Sequence, residues 1–222
     1  FEHRTIFNEN LIAVHMKKTN VFYNKPIFLG MCILDLSKTL MYDFHYNFMK
    51  SKYCDNAKLL FTDTDSLAYE IQTEDFYKDI KPDIERLFDT SNYTAYHKSG
   101  IEVGVNKKVP GMFKDEAGGK QIFEFVGLRA KLYSYRMKDL EEKKCKGVKK
   151  SVVKREIVFE DYKKCLLDRK ETYRTMNVIR SYRHELYSEE VNKIALSSED
   201  DKRIILKDGI HTLAHGHILS RK

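Results

Sequence analysis

Proline occurs only three times in 222 residues and cysteine four times, and no apolar run approaches the length of a bilayer span. Sparse proline, with 42% hydrophobic and 33% charged residues, excludes a disordered chain and implies a folded, soluble one. Without a run of roughly 20 apolar residues there is no expectation of a membrane-spanning helix, and no secretory leader is recognisable at the start. Cys32, Cys54, Cys145 and Cys165 are scattered with no Cys-x-x-Cys pair. That spacing gives neither a zinc ribbon nor a disulfide framework and points to a reducing, intracellular compartment. Histidine is dense only at His211, His215 and His217, where a surface turn around Gly216 is expected rather than a metal centre. The chain opens on Phe1 in text that already reads as mid-domain, so a fragment or processed product is expected.

What the chain does carry is positive charge, unevenly placed. The net charge is +7 and the pI about 9.0, a balance that favours polyanionic partners. Between Lys58 and Thr90 there are nine Asp or Glu against four Lys or Arg, whereas Lys131 to Arg155 holds ten Lys or Arg against three Asp or Glu. An acidic, cation-seeking segment thus precedes a basic, phosphate-seeking one. The length allows one sizeable core or two small domains.

The acidic segment contains Leu59-Leu60-Phe61-Thr62-Asp63-Thr64-Asp65-Ser66-Leu67-Ala68-Tyr69-Glu70-Ile71, two apolar runs around a short polar turn. This pattern predicts a β-hairpin over 58–71. On extended backbone, residues two apart share a face, so Asp63 and Asp65 repel unless a cation lies between them. A hard oxygen-seeking ion such as Mg2+ fits that requirement. The competing reading is a plain polar turn.

Around the hairpin, strands are expected at 10–16 and 20–23, and Pro26 opens a long helix over 27–50. Its stripe of Ile27, Met31, Leu34, Lys38, Met41, Tyr42, His45 and Phe48, apolar with a few polar members, predicts a core-facing side, and Asp35, Lys38 and Asp43 would line a cleft if the helix borders one. A second helix is expected at 75–90, capped within Thr73-Glu74-Asp75, followed by a polar loop over 91–100. Strand-like text resumes at 103–109, 111–113 and 121–126, with Gly118-Gly119 as a hairpin turn. Over 128–135, alternation places Arg129, Lys131, Tyr133 and Tyr135 on one strand face, a cationic and aromatic set suited to a sugar-phosphate backbone. Lys143 to Arg155 is the densest basic stretch and includes Lys146, Lys149 and Lys150. A helix at 160–167 would turn Tyr162 and Leu166 inward, and strand-like text covers 172–185. Toward the end come Ser197 to Asp201 and a turn at Lys207-Asp208-Gly209.

Phe61-Thr62-Asp63-Thr64-Asp65-Ser66 resembles the Tyr-x-Asp-Thr-Asp-Ser motif C of family B DNA polymerases, and Lys131-Leu132-Tyr133 resembles their Lys-x-Tyr motif. The text from Lys25 to Tyr46 is similar to the palm helix before motif C in the protein-primed subgroup of Polinton-type transposons, related viruses and linear plasmids. The basic stretch followed by Ile157-Val158-Phe159 resembles the start of the thumb in that subgroup.

The resemblance implies an α+β fold: an antiparallel palm sheet with the catalytic hairpin and packed helices over 1–140, then a small mixed thumb and tail over 141–222. It implies nucleotidyl transfer from dNTPs to a 3′-hydroxyl by two Mg2+ ions, with Mn2+ able to substitute. Asp63 and Asp65 would be the catalytic metal ligands, Thr64 and Asp65 would touch the nucleotide, and Lys131 and Tyr133 would hold the primer end. Lys146, Lys149 and Lys150 would bind DNA. Primer-template DNA, dNTPs and a terminal protein primer are the implied partners, with no membrane. Motif A, motif B and the exonuclease motifs of the family are absent from the 222 residues, so the chain alone is expected to be inactive or very weak. Two alternatives stand beside this: a non-catalytic DNA-binding remnant of a transposon polymerase, and a metal-dependent glycosyltransferase with an Asp-x-Asp site.

Overall fold

A computed structural model describes residues 1–22, 24–199, 203–214 and 217–221. Tyr23, Asp200, Asp201, His215 and Gly216, named above, lie outside the described residues. A hairpin of β1 (His3–Asn8) and β2 (Leu11–His15) comes first. Helix α1 (Ile27–Asp43) continues through a π-helical segment, Phe44–Lys50, into the single turn α2 (Ser51–Tyr53). The antiparallel hairpin of β3 (Ala57–Asp63) and β4 (Ser66–Ile71) follows. Then come α3 (Phe76–Asp79), a 3-10 turn over Lys81–Asp83, and α4 (Ile84–Leu87). The two-residue strands β5 (Phe88–Asp89) and β6 (Phe113–Lys114) pair in parallel. Strands β7 (Ile122–Arg129), β8 (Leu132–Met137) and β9 (Glu141–Cys145) form the one three-stranded sheet among the described residues. Helices α5 (Lys150–Glu156) and α6 (Phe159–Asp168) precede the long antiparallel hairpin of β10 (Thr172–Tyr182) and β11 (Glu185–Leu196). A short hairpin of β12 (Arg203–Ile205) and β13 (Thr212–Ala214) comes last. The architecture is mixed α+β, built from small, mostly antiparallel sheets and a few helices.

The chain separates into two units. One comprises Met16–Phe123 with Phe1 and Met137–Asp139; the other comprises Glu2–His15, Glu124–Arg136 and Leu140–Lys222. The core of the first gathers Phe44, Phe48, Met49 and Tyr53 from the π-helical segment and α2, Ile80 and Ile84 from the short helices, Phe88 from β5, and Tyr93 and Ile101 from the loop beyond. Leu67, Tyr69 and Ile71 of β4 pack against it. In the second, Leu132 and Cys145 of the sheet meet Val153 and Ile157, Tyr162 and Cys165 of α6, and Ala195 and Leu196 of β11.

Several expectations change. The stripe of α1 does not form core over its first half: Ile27, Met31 and Leu34 are exposed, and among its residues only Met41 is buried. The single helix expected at 75–90 is three short pieces. Asp75 caps the first by accepting from the N–H groups of Tyr77 and Lys78, and Pro82, which has no N–H to donate, interrupts the run. The acidic residues of this stretch, for which a solvated face is the sequence expectation, are in part engaged: Lys52 pairs with Asp83 at 2.9 Å and the Tyr53 hydroxyl donates to Asp79. The strands expected at 20–23 and 103–109 are absent among the described residues, 103–108 being turns, and the strand expected at 111–113 reduces to β6. Gly118-Gly119 turns the chain between β6 and β7, which belong to different sheets, so it does not close a hairpin. Tyr162 is buried as expected, but Leu166 is exposed, and Phe159 and Cys165 complete the buried face of α6. In the histidine group, where the sequence offers no obvious acidic partner, His211 has one: its Nδ1 lies 2.6 Å from Asp208.

Candidate functional site

The acidic turn stands where the sequence places it, but its geometry is not that of two strand residues. Asp63 ends β3 and pairs with Ser66, leaving Thr64 and Asp65 as a two-residue turn. The Asp65 N–H donates to the Asp63 carbonyl at 2.6 Å, and Thr64 between them has φ +51°. So tight an i to i+2 closure around a β-branched residue with positive φ is strained. Strain of this kind costs on the order of 1–3 kcal/mol and clusters at functional sites. The Ser66 hydroxyl also donates to the Asp63 carbonyl, at 3.3 Å. Thr64 and Asp65 are exposed and Asp63 is half-buried, so the carboxylates are presented by the turn rather than by strand alternation.

Two features set the hairpin's shape and orientation. Its register shifts between Leu59 and Phe61, making Leu60 an extra residue on β3, and such a bulge increases local twist. Tyr69 on β4 meets His45 of the π-helical segment: Nδ1 and the hydroxyl are 2.8 Å apart and the rings stack. Burial pushes the Tyr69 pKa up to about 12, so the phenol stays protonated. A π-helical segment widens the turn and often marks a functional region.

Between α1 and the hairpin lies a cleft of about 300 Å3, lined by Leu34, Asp35, Lys38, Met41, Tyr42, Thr62 and Thr64. Asp35 and Lys38 line it as expected. Asp43 does not, and instead accepts from Asn47 at 2.7 Å. Tyr42, which helical spacing puts on the core-facing stripe, is exposed instead and brings an aromatic ring to the cleft, with Lys38 Nζ 5.9 Å from its centroid. The cleft therefore combines a cation, a ring face, hydroxyls and the base of the acidic turn.

The basic residues lie in the second unit. Lys131 is not on a continuous strand: Ala130 and Lys131 form the turn between β7 and β8, with Lys131 at φ +62° and exposed. The expected single face of Arg129, Lys131, Tyr133 and Tyr135 is therefore broken. Tyr133 is 8% exposed, its ring 5.9 Å from Phe125 and 6.5 Å from Tyr135, so it serves as packing beneath the surface. The structure does bring Lys131 and Lys146 together, because the Lys146 N–H donates to the Lys131 carbonyl at 3.1 Å. Lys149 immediately precedes α5 and Lys150 begins it; both are exposed, as is Lys146. Gly147 has φ +93°, and a Cβ built there would sit 3.2 Å from Lys193 Nζ. Lys193 is thus a further cation beside this loop, found only through the packing of β11.

Comparisons with protein-family models, with curated proteins and with solved structures return no match.

Proposed function

We propose that this chain is the metal-bearing part of the palm, with the thumb, of a protein-primed family B DNA polymerase. The reading is carried by one observation: an Asp-Thr-Asp-Ser sequence occupies the strained, exposed tip of a β-hairpin whose opposite strand is anchored to the preceding helix through His45 and Tyr69. Asp63 and Asp65 would hold Mg2+, to which Mn2+ is an acceptable substitute, and the ion would polarise the phosphate oxygens of an incoming dNTP. Thr64 and the Lys38 side of the cleft would face the nucleotide. Lys131, Lys146, Lys149 and Lys150 would neutralise phosphates of the primer-template, while Tyr133 fixes the strand that carries the Lys131 turn. The third metal-binding carboxylate and the nucleotide-gripping motif of the family are not among these residues, so binding and catalysis separate in this chain.

The test is primer extension with dNTPs and Mg2+, run beside primer-template binding by fluorescence anisotropy. The reading expects saturable DNA binding, little or no extension, and a binding constant weakened several-fold when Lys131 and Lys146 are both replaced by Ala. Absence of DNA binding at low salt, or binding indifferent to those lysines, would overturn it.

A further inference from the structure

The hairpin of β1 and β2 carries three donors that the polymerase reading leaves unused. Glu2, His3 and His15 each offer one ligand atom, and all three atoms lie within 4.8 Å of one another. The cause is register: His3 pairs directly with His15 across the strands, and the Glu2 N–H donates to the His15 carbonyl at 2.9 Å. The two imidazoles stack with centroids 4.8 Å apart and planes inclined by 12°. His15 Nε2 lies 3.0 Å from Glu2 Oε2.

We propose that Glu2, His3 and His15 form a binding site for one Zn2+ ion. Two imidazole nitrogens and one carboxylate oxygen are a borderline donor set that suits Zn2+ and not Mg2+, which prefers oxygen alone. Zinc takes nitrogen and oxygen at about 2.0–2.2 Å, so tetrahedral ligand atoms stand roughly 3.3 Å apart. The Glu2 and His15 atoms already meet that spacing. His3 reaches it by a small side-chain rotation, which an exposed ring permits. The ion takes the place of the direct contact between His15 and Glu2, and water completes the fourth position.

The consequence is a clip at the open end of the hairpin, opposite the Glu9-Asn10 turn. Two-stranded hairpins are marginal by themselves, and Ile6, Ile12 and Val14 of this one are exposed. Tying residues 2 and 3 to residue 15 fixes both strand ends and their register. This site shares no residue with the acidic turn, so its success or failure leaves the polymerase reading untouched.

The experiment is a ZnCl2 titration of the full chain by calorimetry at pH 7.5, followed in parallel by 1H-15N spectra. It is run on a Cys32→Ser, Cys54→Ser background so that the exposed thiols do not compete. The proposal expects one equivalent bound with micromolar affinity, resonance shifts concentrated in residues 2–15, and reversal by EDTA. His3→Ala and His15→Ala should each weaken binding at least tenfold while the metal-free spectra stay folded outside the hairpin. Zinc affinity unchanged by both substitutions, or unshifted 2–15 resonances at ten equivalents, would overturn it.

Discussion

Thr64 is the residue that most sets the acidic turn apart from an ordinary polar one. A β-branched side chain at φ +51° is held there by the Asp65-to-Asp63 closure and the strands behind it. Replacing Thr64 with Asn, which tolerates this conformation, should stabilise the chain by a few tenths of a kcal/mol up to about 1 kcal/mol in urea unfolding. A loss of stability would mean that the Thr64 side chain is itself a needed contact. A second residue ties the fold to pH. The Asp89 carboxylate is buried, accepts from the Ser91 N–H at 2.8 Å and the Lys108 N–H at 3.2 Å, and lies 3.6 Å from Lys114 Nζ. The bonds from Ser91 lead in lowering its pKa to about 2. Because the folded value lies below the unfolded one, near 3.9, the stabilisation is complete above about pH 4 and is lost as pH falls toward 2. Urea midpoints should therefore decline over that window, and Asp89→Asn should flatten the decline.

At the level of elements, the contrast within α1 and its π-helical continuation gives the sharpest expectation. Phe48→Ala removes a ring from the core and should cost about 3–5 kcal/mol, whereas Ile27→Gln or Leu36→Gln should change stability by less than about 0.5 kcal/mol. Tyr69→Phe, which removes the bond to His45, should cost about 1 kcal/mol. Helical spacing alone made one stripe of Ile27, Met31, Leu34, Met41 and Phe48. It gave the helix correctly but had no information on where a neighbour packs, so half the stripe was assigned to a core it does not join. The acidic hairpin was legible because composition and turn chemistry act locally there. The Lys131 turn was not legible, since Leu128 to Tyr135 alternates like one strand and nothing short-range announces a non-glycine residue with positive φ. The cross-strand meeting of His3 and His15 depends on a pairing with a strand at 3–8 that the sequence reading did not recognise.

Across the whole molecule, charge and thiol exposure supply two broad checks. On the proposed reading, the four lysines assigned to DNA, Lys131, Lys146, Lys149 and Lys150, all of them exposed, would release about four counterions on binding duplex DNA, giving a log-log salt slope of roughly −3.6. Removing Lys131 and Lys146 should bring the slope to about −1.8. The four cysteines are free thiols that divide by burial: Cys32 and Cys54 are exposed, while Cys145 and Cys165 are buried with thiol pKa values pushed up by that burial. A thiol reagent should therefore label two cysteines rapidly in the native chain and all four only after denaturation. Rapid labelling of Cys145 would contradict the core described for the second unit, where its Sγ donates to the Ala195 carbonyl at 3.3 Å.

The most direct test of the central claim, that the Asp63–Asp65 turn is a divalent-cation site, is paramagnetic broadening by Mn2+ in a 1H-15N spectrum. Substoichiometric Mn2+ should broaden the amides of residues 62–67 first, and Asp63→Asn or Asp65→Asn should abolish that broadening. Broadening that begins elsewhere, or that survives both substitutions, would contradict the account.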